Sequence, residues 1–130
     1  MIYLDTSVLL AWIFGEDRHP PEHLWQRPLV SSRLLQYEVW TRINARGADV
    51  RSREAAEDAL GRVSLVELTP VVLSRALAPW PTPTRTLDAL HVATALFLRD
   101  NRQGIEVASY DTRLCAAASA AGLALAMDIG

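Results

Sequence analysis

Met1-Ile2-Tyr3-Leu4-Asp5-Thr6-Ser7-Val8-Leu9-Leu10 runs apolar into an acid, then through two hydroxyls into a second apolar run. The reading is a short strand over 2–5 followed by an amphipathic helix from Thr6 to about Phe14. The same order returns near the other end of the chain. Ile105–Ser109 reads as a strand, Asp111 follows, and an Ala-rich helix over 112–121 is closed by Gly122 before a last strand over Leu123–Met127.

Between these units, His19-Pro20-Pro21 breaks the chain before a short helical turn near Glu22–Gln26. Leu29-Val30-Ser31 reads as a brief extended link. A long helix is expected from about Ser32 to Ala45, stopped at Gly47, and a second from about Ser52 to Arg62. Val63–Leu68 alternates as a strand, and Thr69-Pro70 is a helix start with Pro at the first helical position. That helix must end before Pro79, and Pro79-Trp80-Pro81-Thr82-Pro83-Thr84 must be extended and stiff. Thr86 is expected to cap a very apolar helix reaching about Arg99. With no repeat, low-complexity tract or linker, residues 1–130 read as a single domain. Strands alternating with helices predict an α/β fold with a parallel sheet flanked by helices on both faces. Ligands in such folds bind beyond the carboxyl ends of the strands. Asp5 and Asp111 fall at that edge, and Asp88 sits in the first turn of a helix starting from the same rim.

Composition narrows the possibilities. Half of the 130 residues are hydrophobic, enough to bury about two-thirds of the unfolded surface. The net charge of −2 argues against a general electrostatic grip on nucleic acid but permits a local basic rim. All 13 basic residues are Arg, so a P-loop phosphate-binding Lys and a Schiff-base Lys are both excluded. Cys115, the single cysteine, reads as a small core residue, compatible with a reducing cytosol. The N-terminus does not read as a signal peptide, and the longest charge-free apolar stretch, Leu114 to Met127, is too short to span a bilayer. The expectation is a cytoplasmic protein without a membrane partner.

Four acids, Asp5, Glu38, Asp88 and Asp111, each stand in an apolar setting, where carboxylates are rare without a partner. Helix capping is the competing account for the three Asp residues, since each lies at or just inside a helix N-terminus. Hydroxyls able to cap accompany all three (Thr6 and Ser7, Thr86, Ser109 or Thr112), and Glu38 lies mid-helix, where its alternative is an i,i+4 pair with Arg42. Two carboxylates about 5 Å apart repel by roughly 3 kcal/mol at an effective dielectric near 20. A converged set therefore requires protonation or a cation. Carboxylate oxygens without Cys or His select Mg²⁺ or Mn²⁺, ions suited to in-line displacement at phosphorus.

The opening Met1–Leu10, the helix bearing Glu38, Thr86-Leu87-Asp88-Ala89-Leu90-His91-Val92-Ala93-Thr94-Ala95 and Ser109-Tyr110-Asp111-Thr112-Arg113-Leu114 resemble, in order, the four acidic motifs of PIN-domain nucleases. The size of the chain resembles the toxin half of VapBC toxin–antitoxin pairs. The resemblance implies a parallel five-stranded sheet and a metal-dependent endoribonuclease, usually homodimeric, cutting single-stranded or looped RNA to leave a 5′-phosphate and a 3′-hydroxyl. It implies Asp5, Glu38, Asp88 and Asp111 as ligands of Mg²⁺ or Mn²⁺, and Thr6 or Ser7 as hydrogen-bonding to the site or to a substrate phosphate. The partner it implies is a small antitoxin that inserts a basic side chain among the acids and wraps an apolar groove near Trp12 and Trp40. A PIN-like scaffold without turnover and a DNA-directed nuclease are the alternatives.

Ser109 stands beside the fourth acid, and His91 shares a helical face with Asp88, where it reads as a packed or supporting residue. Arg42 and Arg46, near Arg51 and Arg53, are candidate contacts for RNA phosphates. Trp80, in the proline segment, is the tryptophan expected to be exposed. His19-Pro20-Pro21-Glu22-His23 fits an H-x-x-E-H zinc pattern, but Pro20 forces His19 out of the helical geometry that chemistry needs, leaving a surface loop. Asp5-Thr6-Ser7 resembles in part the aspartyl-nucleophile phosphatases of the haloacid dehalogenase class. Ser7 stands where those need a second Asp, and the chain has no Lys.

Overall fold

The computed structural model describes residues 1–47, 49–101, 104–126 and 129. The elements run β1 (Ile2–Leu4), α1 (Thr6–Phe14), a 3₁₀ turn (Glu22–Gln26), β2 (Leu29–Ser32), α2 (Leu34–Ala45), α3 (Val50–Leu60), β3 (Val63–Val66), α4 (Pro70–Ala76), α5 (Thr86–Asp100), β4 (Glu106–Ala108), α6 (Thr112–Ala120) and β5 (Ala124–Leu125). The five strands form one sheet of order β3-β2-β1-β4-β5, every pairing parallel.

That order contains a reversal. From β1 the chain steps outward to β2 and β3, then returns across the sheet to place β4 on the other side of β1. The carboxyl ends of β1 and β4 therefore flank the switch point, where connecting helices leave in opposite directions and open a crevice. β1 can occupy the centre because all three of its residues are apolar and buried. Alternation along the strand divides them. Ile2 and Leu4 pack with Val8, Leu9, Leu35, Val39, Ile43 and Ala59 beneath α1, α2 and α3. Tyr3 faces the opposite core, with Val92, Leu96, Leu114 and Ala118 from α5 and α6.

Several local expectations change. Leu29–Ser32 is an interior strand, not a link: it pairs with both β1 and β3. Its two serines are buried and satisfied, Ser31 Oγ donating to the Leu4 carbonyl at 2.7 Å and Ser32 Oγ accepting from Leu34 N at 3.0 Å. α3 begins at Val50, two residues before its expected start, because Asp49 caps it through Ser52 N at 2.7 Å. Thr86 caps nothing; Arg85 stands at the N-cap of α5 without a side-chain bond. Trp80 is half-buried, packing against the α5–α6 core and donating from Nε1 to the Ala76 carbonyl at 3.1 Å. Thr69 caps α4 as expected, and Gly47 and Gly122 adopt φ of +72° and +90° at their helix ends, where a side chain would be strained. The expected end of the last strand at Met127 lies outside the described residues. Among the described residues no helix is long and apolar enough to cross a membrane.

Candidate active site

Asp5, Glu38, Asp88 and Asp111 line one cavity of about 720 Å³ at the carboxyl edge of the sheet, together with Thr6, Ser7 and His91. Asp5 follows β1 as the N-cap of α1, and Asp111 follows β4 as the N-cap of α6, on the two sides of the switch point. Glu38 projects from the second turn of α2, and Asp88 from the first turn of α5.

Asp5 is buried and held by neutral donors. Ser7 Oγ donates to its Oδ2 at 2.6 Å and Ser109 Oγ to the same oxygen at 2.7 Å. Each hydroxyl is itself fixed by a backbone N–H: Tyr110 N donates to Ser7 Oγ and Asp111 N to Ser109 Oγ, both at 2.9 Å. A hydroxyl has one proton and a carboxylate can only accept, so both serines spend theirs on Asp5. Glu38 is held the same way. Thr6 Oγ1 lies 2.8 Å and His91 Nε2 2.6 Å from its Oε1. Among the described residues it forms no pair with Arg42.

The capping account is correct for two of the acids, contrary to the expectation that neighbouring hydroxyls would cap. Asp5 accepts from Ser7 N on α1, and Asp111 Oδ1 accepts from Arg113 N at 2.9 Å and Leu114 N at 3.4 Å on α6. The hydroxyls bind the carboxylates instead. Capping and membership of the cavity are compatible because each function uses one oxygen. Among the described residues Asp5 Oδ1, Glu38 Oε2 and Asp111 Oδ2 remain uncommitted, and Asp88 accepts no hydrogen bond. Partial burial pushes the Asp88 carboxyl above its usual range, and the negative charges of Asp111 and Asp5 add to that, opposed by Arg113. The charges of Asp111 and Asp5 thus lie within electrostatic reach of Asp88.

The donor set suits a hard divalent cation: uncommitted carboxylate oxygens and a mutual repulsion that such a charge would remove. Among the described residues no three His, Cys, Asp or Glu side chains are already drawn into a group that could hold an ion. The acids are arrayed around the cavity.

Arg42, Arg85 and Arg113 stand on the same cavity wall. Arg85, at the N-cap of α5, and Arg113, in the first turn of α6, escape a reading of the sequence, although a cation at a helix N-terminus opposes the macrodipole. Arg46 is not brought to the site; its guanidinium lies 4.0 Å over the Phe14 ring and 3.9 Å from Glu16. Trp12 stacks on His19 and meets Trp25 edge-on, and Trp40 lines a groove of about 370 Å³ with Tyr37. Tyr3, whose hydroxyl lies 2.7 Å from His91 Nδ1, also escapes a sequence reading because it sits among strand apolars.

The family model for the PIN domain matches residues 2–120. The chain belongs to the PIN-domain family. Ribonuclease VapC46 of Mycobacterium tuberculosis is 32% identical over 130 residues, covering 95% of each chain. Ribonuclease VapC35 of the same organism is 32% identical over 131 residues, covering 96% of this chain and 95% of the relative. The crystal structure of Mycobacterium tuberculosis VapC20, described as a Sarcin-Ricin loop cleaving toxin, superposes with a TM-score of 0.70 at 24% identity, over 97% of this chain and 98% of that one. This PIN domain thus has VapC-type ribonucleases as full-length relatives, and the solved neighbour shares its fold.

Proposed function

We propose that this PIN domain is a Mg²⁺- or Mn²⁺-dependent endoribonuclease of the cytoplasm, the toxin of a toxin–antitoxin pair, cleaving single-stranded or looped RNA. The observation that carries this reading is the convergence of four carboxylates on one cavity, three with one oxygen committed to the protein and one left over. Full-length relatives named as ribonucleases favour RNA over DNA as the substrate. A small antitoxin protein is the proposed partner, a basic side chain among the acids being the simplest way to silence them, and a homodimer is the proposed assembly.

Asp5, Glu38, Asp88 and Asp111 would hold the cation, with Asp111 in the most peripheral part as a helix cap. When bound, the ion supplies hydroxide from water near neutral pH and charge stabilisation at phosphorus. The protein's own contribution is orientation. Ser7 and Ser109 fix Asp5, and Thr6 and His91 fix Glu38, without cancelling either charge. Arg42, Arg85 and Arg113 on the wall are suited to hold RNA phosphates against the acids. Cleavage would leave a 5′-phosphate and a 3′-hydroxyl.

The test is to map RNA 5′ ends after induction of the protein and of its Asp5→Asn variant. New 5′-phosphate ends that depend on Asp5 are expected. The same ends appearing with the variant at wild-type frequency would contradict the assignment.

A further inference from the structure

Tyr3, His91 and Glu38 form a line from the core of the sheet to the acidic cavity. They come from β1, α5 and α2, and Tyr3 and His91 are 1% and 2% exposed, so solvent does not serve the imidazole. The Tyr3 hydroxyl lies 2.7 Å from Nδ1, with the two rings edge to face, and Glu38 Oε1 lies 2.6 Å from Nε2. Glu38 as a carboxylate can only accept, so the Nε2 facing it carries a proton, and the neutral ring then accepts at Nδ1 from the Tyr3 hydroxyl. An imidazole that accepts at Nδ1 carries its proton on Nε2, facing the carboxylate. With the Thr6 hydroxyl also on Oε1, that oxygen is occupied by two donors and, among the described residues, Oε2 by none.

We propose that Tyr3 and His91 are positioning residues: Tyr3 fixes the imidazole with its proton on Nε2, and this N–H fixes Glu38 so that Oε2 alone is offered to the cation. The proposal rests on the reading of Glu38 as an acid of the nuclease site. It excludes His91 as a base for water, because both ring nitrogens are already engaged inside the protein.

Nitrogen-correlated NMR of the imidazoles in the full, metal-free chain reads the proton directly. A pyrrole-type Nε2 and a pyridine-type Nδ1 are expected for His91; a proton on Nδ1 overturns the proposal. His91→Leu removes the donor, and calorimetry should show Mn²⁺ binding weakened about 10–100-fold, with a parallel fall in kcat and little change in KM for RNA. His91→Gln places an amide N–H near the Nε2 position and should retain most of both. Tyr3→Phe leaves Glu38 and its contacts in place but frees the imidazole, giving a mixed tautomer spectrum and a smaller loss of kcat. Should His91→Leu fail to fold, the spectrum and the Gln and Phe variants still decide. Glu38→Gln separates the two levels of inference. If it is inert while His91→Leu binds Mn²⁺ and cuts as wild type does, the positioning proposal is wrong and the site stands. If Glu38→Gln cuts at the full rate, the site reading fails and the proposal with it.

Discussion

The two edges of the sheet carry their acids on different terms. At the amino edge Glu106 opens β4 and pairs with Arg27 at 2.9 Å, with both side chains more than a third exposed. At the carboxyl edge Asp5 is buried and Glu38 largely so, and both are met by hydroxyls, backbone or imidazole rather than by a guanidinium. Arg42, Arg85 and Arg113 share that cavity, yet among the described residues none is within ion-pair distance of its acids. The amino edge neutralises charge in water, where the effect on stability is small. The carboxyl edge orients charge without neutralising it. Keeping like charges together is costly unless a cation joins them, which is the ground for proposing this polar edge as the site.

The contrast breaks most clearly at Asp5. Asp5→Asn keeps the shape and the cap but removes the charge, and single-turnover RNA cleavage should fall by about 10²–10³-fold or more, the equivalent of several kcal/mol of transition-state stabilisation. Ser109→Ala should cost about 10–100-fold in the same assay, because it removes one of the two hydroxyl donors that hold Asp5 and leaves Asp111 N without its acceptor.

Asp88→Asn tests the cost of uncancelled charge. The carboxyl is raised in the folded protein relative to the unfolded chain, so the native state binds more protons between the two values. Its contribution to stability is complete below the unfolded carboxylate value of about 3.9 and is lost as pH rises through the elevated native one. In EDTA near neutral pH the variant should therefore melt a few degrees above wild type, and this advantage should shrink to nothing on acidification. A lower melting temperature for the variant at neutral pH would refute the repulsion. The smallest effect belongs to the amino edge: Arg27→Ala should change stability by about 0–1 kcal/mol in denaturant titrations and leave cleavage unchanged.

Much of this was legible in the chain. Met1–Leu10 shows the strand, the turn and the acid at once because a central parallel strand is apolar throughout and must end where its helix begins. Helix ends were readable where a side chain or glycine acts locally, as at Thr69, Gly47 and Gly122. β2 was obscured because Ser31 and Ser32 look like loop residues until their partners, the Leu4 carbonyl and Leu34 N, are in place. The edge shared by the acids could be inferred from strand order, and Thr6, Ser7, Ser109 and His91 could be marked as supporting residues, but not which carboxylate each one holds. Ser109, Thr6 and His91 act across sequence separations that only folding closes, and Tyr3 is indistinguishable in sequence from a packing aromatic.

The most direct test of a shared cation site is Mn²⁺-supported cleavage of a looped RNA by purified wild-type protein and by Asp88→Asn, with melting curves recorded alongside. Wild type should cut with Mn²⁺ and stop in EDTA, while the variant should be folded, at least as stable as metal-free wild type, and inert. A folded Asp88→Asn protein that cuts at the wild-type rate, or a wild type that cuts undiminished in EDTA, would contradict the account.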